Sequence, residues 1–263
     1  MNIAEASKKL EEAFYEWLKS DKLKEIARFY SGFHQYSFWN RLLILSVKPN
    51  ASLCASFNTW KGFGRHVKKG EKGIPILVPN FSTINYEEEK DDGTVENKVE
   101  KRLVGYSQGY TYDYEQTEGE PLPEVRIEGS ADDLLEMVTS DLRAAGYEIN
   151  FYDRDSLEKG YTYKGEKRIF VKSTEPTAQQ LSTLLHEWAH QNAPEGLLLA
   201  DEEIVVQTAS FFIMSAFGLD SSEYTASYVM SWSHGRPFPE IAKLFSASDK
   251  IAQKFIEQAK VTV

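Results

Sequence analysis

The chain has 263 residues, of which 41% are hydrophobic and 13% aromatic, and its 30 Lys and Arg against 40 Asp and Glu give a net charge of −10. This content suits one large or two modest folded domains and excludes a disordered chain; no apolar run approaches the ~20 residues of a membrane helix. The single cysteine, Cys54, excludes an intrachain disulfide and points to a reducing, cytoplasmic setting.

The segment Met1–Glu5 lacks a basic start followed by an apolar stretch, so no secretory signal is expected. Residues 4–30 are predicted helical, with Leu10, Phe14, Leu18, Leu23, Ile26 and Phe29 at helical spacing. A second helix is predicted from Ser37 to Ser46, ending before Pro49. Gly73–Pro79 and Lys101–Tyr112 are predicted strands, joined as a long hairpin whose polar tip contains Asp92-Gly93. Residues 117–129, with Gly119, Pro121, Pro123 and Gly129, have the composition of a linker, and 121–129 is taken as its span. Ser130 should cap a helix that stops at Gly146. Short strands are predicted at 147–152 and 167–172. Helices follow at 176–192, 201–217, 221–232 and 248–260. The order predicts an α+β protein of two domains, 1–120 and 130–263.

Charge is segregated along the chain. Glu87, Glu88, Glu89, Asp91 and Asp92 form an acidic cluster, and Lys61, Arg65, Lys68, Lys69 and Lys72 a basic one interrupted by Glu71. The acidic total argues weakly against nucleic-acid binding. The basic stretch, however, is interleaved with aromatics and glycines: Tyr36, Phe38, Trp39, Asn40 and Arg41 come first, then Trp60, Lys61, Arg65, Lys68, Lys69 and Lys72. Single-stranded nucleic acid needs that mixture of cations for phosphates and flat rings for bases. The plain alternative is core aromatics beside solvated lysines.

The segment His186-Glu187-Trp188-Ala189-His190 carries the most specific chemistry. Two histidines four apart lie on one helix face, within reach of one ion, and Glu187 can approach a metal-held water without being a ligand. Thr174 or Thr177 can cap this helix, Pro176 fits its first turn, and Pro194 and Gly196 end it. A catalytic zinc needs a third protein ligand. The next helix supplies Glu203, preferred because Gln207 four residues on can support it, with Glu202 the competing choice. Such a site would activate water for peptide-bond hydrolysis, with Glu187 moving the proton. Tyr228 and His234 are candidates to stabilise an oxyanion; their bland readings are core packing and surface exposure.

These residues resemble a known family. His34-x-Tyr36-Ser37-x-x-Asn40-x-x-Leu43-Ile44, Trp60-x-x-x-Gly64-Arg65-x-Val67-x-Lys69-Gly70-Glu71-Lys72-Gly73-Ile74 and Asp113-x-x-Gln116-Thr117-x-Gly119 are similar to the ArdC-type antirestriction proteins of plasmids and phages. The resemblance implies a domain that binds single-stranded DNA. Thr183-Leu184-x-His186-Glu187-x-Ala189-His190 with Glu202-Glu203-x-Val205-x-Gln207 implies a zincin-like metallopeptidase domain of the gluzincin kind, holding Zn2+. Gln207 stands where the family pattern has Glu. The expected protein binds single-stranded DNA and carries a zinc peptidase site, with a peptide or protein substrate and a host restriction nuclease as further partners. The competing readings are a non-enzymatic protein that coats transferred DNA, with a structural or vestigial zinc, and an acidic mimic of DNA.

Overall fold

The structure, a computed structural model, describes residues 3–19, 36–89, 95–121, 130–219, 233 and 235–258. It divides into two units. One comprises Met1–Trp17 and Leu42–Glu120; the other comprises Leu18–Arg41 and Pro121–Val263. Among the described residues, 36–41 group with the C-terminal unit. Apart from Pro121, the expected linker lies outside the described residues, as do 20–35, the Asp92-Gly93 turn and the helix expected at 221–232.

The first unit opens with helix α1, Ile3–Lys19, which buries Ala6, Ala13 and Phe14. Helix α2, Phe38–Val47, begins one residue after Ser37, whose Oγ accepts the Asn40 N–H. Strand β1, Cys54–Ala55, leads into the short helix α3, Phe57–Gly62, capped by Ser56, whose hydroxyl accepts the Thr59 N–H at 3.1 Å. Strands β2, Arg65–Val67, β3, Ile74–Glu89, β4, Val95–Asp113, and β5, Thr117–Gly119, follow.

All pairings in this unit are antiparallel, in sheet orders β1-β4-β3 and β2-β5. The hairpin runs further than the sequence suggested, because Phe81–Glu89 alternates too weakly to read as a strand alone. Pro75 and Pro79 are tolerated because β3 is an edge strand, where a missing N–H costs no ladder bond on its outer side. Asn80 pairs with Gly105 and Phe81 with Leu103, so Val104 is an extra residue, a β-bulge in β4.

In the second unit Ser130 and Asp133 cap helix α4, Ala131–Ala144, reciprocally, as a capping box. Gly146, at φ +86°, reverses the chain after it. Strands β6, Glu148–Tyr152, β7, Gly160–Tyr163, and β8, Arg168–Lys172, form a mixed sheet in the order β6-β8-β7. The pair β6/β8 is parallel and β7/β8 antiparallel. Ile149, Ile169 and Val171 are buried. Helices α5, Thr177–Asn192, α6, Leu199–Ala216, and α7, Phe238–Gln258, complete the unit. Leu181, Leu184, Leu185 and Trp188 of α5 are buried, as are Val205, Ala209 and Phe212 of α6 and Ile241, Phe245 and Phe255 of α7. Trp188 meets Phe255 edge to face with centroids 4.8 Å apart. Among the described residues no helix is long and apolar enough to cross a membrane.

The start of α2 packs within this second unit. Phe38 stacks on Phe212 and tilts against Phe245, at 5.5 and 4.9 Å between centroids. Arg41 is fully buried, and its Nη1 donates to Asp249 Oδ1 at 2.8 Å; Asp249 Oδ2 accepts the Phe38 N–H and the Gln253 amide. A buried ion pair that lost one partner would cost about 3–5 kcal/mol, so Phe38–Arg41 is firmly held.

Candidate metal centre

Helix α5 begins at Thr177 with Pro176 at the capping position, where no side-chain cap bond forms; Thr177 Oγ1 donates to Asp132 instead. Its apolar stripe, Leu181, Leu184, Leu185 and Trp188, faces the core, which leaves His186 and His190 together on the partly open side. Their rings lie 4.9 Å apart, edge to face. Helix α6 crosses nearby, tied by the Ser210 hydroxyl to the Ser182 carbonyl. This brings Glu203 opposite both rings. Glu203 Oε2 is 3.6 Å from His186 Nε2, and Oε1 is 3.4 Å from His190 Nε2. One donor atom from each of the three residues falls within 4.8 Å of the others.

Electrostatics fit the same arrangement. The imidazoles of His186 and then His190 hold the Glu203 carboxyl well below the usual carboxylate range, against the opposing effect of burial. Burial works against protonation of His190, yet hydrogen bonding to Glu203 and Glu202 outweighs it and pushes this ring up to about 9. Glu187 is buried, and burial raises its carboxyl above the ordinary value; the two histidines pull it down, and Glu203 and Glu158 push it up again.

Strand β7 forms the wall beside Glu187. A Cβ on Gly160 would collide with Thr183 Cγ2, lie 2.8 Å from the Phe170 carbonyl and 3.4 Å from Glu187 Cγ. Only a glycine lets the strand lie this close to the helix. Among the described residues β7 is an edge of the sheet, with no strand paired on one of its sides. The sequence reading missed β7, since Gly-Tyr-Thr-Tyr is short and starts with a weak strand former. Glu202, the competing choice of ligand in the sequence reading, stands elsewhere. Glu202 Oε1 lies 3.0 Å from His190 Nδ1, on the side of the ring away from Glu203. The residue that supports a candidate ligand is therefore Glu202, where the sequence pointed to Gln207. Tyr228 and His234 lie outside the described residues.

The first unit redistributes the candidate DNA contacts. Trp60 is fully buried and its indole N–H donates to the Tyr112 carbonyl at 2.8 Å. Arg65 is buried over the Tyr114 ring at 4.0 Å; it donates to Thr117 Oγ1, the Thr117 carbonyl and the carbonyls of Gly119 and Glu120. Phe38 and Arg41 are buried in the second unit, and Tyr36, Trp39 and Asn40 are half-buried there, with the Trp39 indole donating to Ser246. Phe38, Arg41, Trp60 and Arg65 are thus framework residues: a buried ring or guanidinium already satisfied by protein has nothing to offer a nucleotide. Lys61, Lys68, Lys69 and Lys72 are exposed, as the sequence suggested. Two aromatics that the sequence did not single out, Phe57 and Phe63, flank Lys61 in the chain and are more than half exposed.

The motif Asp113-x-x-Gln116-Thr117-x-Gly119 is a clasp. Asp113 accepts the N–H groups of Ser52 and Leu53 and the Lys48 ammonium. Gln116 donates to Glu71 Oε2 and the Lys72 carbonyl, fixing the loop that carries the lysines. Gly119, at φ +138°, leaves no room for a Cβ beside Gly64 and Arg65.

Comparison with known proteins adds a family. The family model for the N-terminal domain of anti-restriction factor ArdC matches residues 2–112. An uncharacterized protein of Bacillus anthracis, pXO2-81, is 24% identical over 278 aligned positions that cover 90% of this chain. The chain spans about half the length of that relative, 47%. Among solved structures, the metal-free antirestriction protein ArdC from plasmid R388 is 22% identical, with 85% of each chain covered and a TM-score of 0.49. The Mn(II)-bound structure of the R388 protein is 21% identical, covering 86% of this chain and 89% of that one, with a TM-score of 0.47. Residues 2–112 thus match the N-terminal domain of anti-restriction factor ArdC.

Proposed function

We propose that this chain is an antirestriction-type protein that binds single-stranded DNA through its first unit and carries a zinc-dependent peptidase site in its second. The carrying observation is the convergence of His186, His190 and Glu203 beside a buried Glu187. Two imidazoles and one carboxylate are the ligand set of a catalytic zinc with an open fourth position, and the three donor atoms are close enough to share one ion. A zinc ion held there supplies Lewis acidity and lowers the pKa of water toward ~7.

The chain's own groups do the rest. Glu187, with its raised carboxyl, is suited to take a proton from the attacking water and pass it to the leaving amine. The edge strand β7 offers backbone donors and acceptors along which an extended peptide can lie. Gly160 keeps that strand against Glu187, so a peptide on it passes the site. In the first unit the exposed Lys61, Lys68, Lys69 and Lys72 supply phosphate contacts and Phe57 and Phe63 supply stacking rings, the mixture that single strands require. Such a protein would act on behalf of a mobile element whose DNA enters a host as a single strand, against a host restriction nuclease.

The test is metal analysis joined to cleavage assays on unstructured polypeptides, with and without single-stranded DNA. Purified protein should hold about one zinc, and Glu187→Gln should keep it while cleavage falls at least about a hundredfold. Undiminished cleavage in that variant sinks the assignment of Glu187. Zinc without cleavage in the unaltered protein points instead to a DNA-coating protein with a structural metal.

A further inference from the structure

The histidine ring nearest Glu203 is gripped from behind, and the grip comes from a different element. His190 turns Nε2 toward Glu203 and Nδ1 toward Glu202, at 3.4 and 3.0 Å. Both side chains of the Nδ1 contact are 16% exposed, so the bond is sheltered from competing water. Glu202 is in turn held by Lys164, whose Nζ lies 3.2 Å from each carboxylate oxygen. Lys164 stands in the turn between β7 and β8, and that turn is itself fastened to α5. The Gly165 N–H donates to Gln191 Oε1, and the Gln191 amide donates to Thr162 Oγ1 and to the Tyr163 carbonyl. Gln191 follows His190 directly in the chain, so the ring and its support are carried by the same turn of helix.

We propose that Glu202 is the positioning residue of the metal centre: it fixes the His190 ring with Nδ1 protonated and Nε2 free to ligate, and Lys164 anchors its carboxylate. This rests on the metal-site reading above and assigns Glu202 a part distinct from that of a ligand. The physical ground is that a ligating imidazole has two ring nitrogens, and the hydrogen bond made by one decides the availability of the other. A charge-assisted bond from a half-buried carboxylate locks both the tautomer and the ring rotation. It also couples the site to the β7–β8 turn, because displacement of that turn would carry Lys164 away from Glu202.

The experiment uses the full chain with 15N-labelled histidine, loaded with zinc. The His190 ring should show a protonated Nδ1 that exchanges slowly with solvent. Glu202→Ala should speed this exchange at least about tenfold and weaken zinc affinity about 10–100-fold, as measured by competition with a chromophoric chelator. Lys164→Met should speed the exchange by a smaller factor, and Lys164→Arg should restore it. Should Glu202→Ala fail to fold, Glu202→Gln keeps the side-chain shape and is expected to show the same changes in smaller measure. Unchanged exchange and affinity in the Glu202 variant overturn the proposal. So does lost affinity with the Nδ1 proton undisturbed, which would make Glu202 a ligand. An unaltered protein that takes up no zinc overturns the metal-site reading itself, and this proposal with it.

Discussion

At the proposed metal site a proton and a metal ion would compete for His190. In the metal-free protein the ring is pushed up to about 9 by Glu203 and Glu202, so near neutral pH it carries a proton on each nitrogen. The Nε2 proton must leave before that atom can ligate. Glu203, held well below the usual carboxylate range, is already ionised and contributes nothing to the dependence in this window. Zinc affinity should therefore rise with pH between about 7 and 9, by roughly tenfold per unit, and level off above. Chelator competition across that range reads it directly, and a flat profile would mean that the ring is neutral before the metal arrives. The histidine pair was legible in the sequence because a spacing of four can only place two side chains on one face of a helix. The choice between Glu202 and Glu203 was not. Adjacent residues on a helix point about 100° apart, and which of them faces the histidines depends on how α6 is rotated against α5, which the packing of Val205, Ala209 and Phe212 decides.

At the scale of elements, the loops of the first unit are held by side chains that the sequence advertised as DNA contacts. Arg65 joins β2 to the chain after the 3-10 turn Tyr114–Gln116 by satisfying three backbone carbonyls and one hydroxyl from within the fold. Arg65→Met should cost about 2–4 kcal/mol, since the Thr117 hydroxyl and carbonyl left behind are buried. Lys61→Ala, at an exposed position, should stay within about 0.5 kcal/mol. Thermal or urea melts separate the two, and an Arg65→Met protein as stable as the unaltered one would show that water replaces the guanidinium. Sequence alone could not sort these residues. Helix α3 has six residues and two aromatics, too short for periodicity to say that Trp60 turns inward and Phe57 outward. The strand was clearer: Ile74 to Val78 is a continuous apolar run bounded by Gly73 and Pro79, although the bulge at Val104 has no signature of its own.

For the molecule as a whole, charge segregation makes the net charge of −10 compatible with the proposed DNA-binding surface. The lysines proposed for phosphate contact, Lys61, Lys68, Lys69 and Lys72, are exposed, while Glu87–Glu89 stand at the far end of β3. Replacing these four lysines by Gln should weaken binding to single strands of any sequence and reduce the slope of log affinity against log salt by up to about 3, at ~0.7 per phosphate contact. Fluorescence anisotropy over a salt series measures it; an unchanged slope would put the DNA surface on other residues. The fold class and the longer elements were readable because helix and strand patterns run long enough to show, while short ones such as β1, α3, β2, β5 and β7 were not. The membership of residues 36–41 in the second unit was not either, since the burial of Phe38 and Arg41 against α7 reveals it.

That last pairing sets a timetable for synthesis. The guanidinium of Arg41 and the carboxylate of Asp249 are separated by 208 positions in the chain. At a ribosomal pace of ~5–20 residues per second, Arg41 emerges about 10–40 s before the partner that neutralises it. During that interval Arg41 is without Asp249, and Phe38 is without Phe212 and Phe245. A fragment ending near residue 120 would live permanently in that interval. The N-terminal domain of this protein is thus a unit of recognition without being a unit of completion: its second helix is finished only by the last.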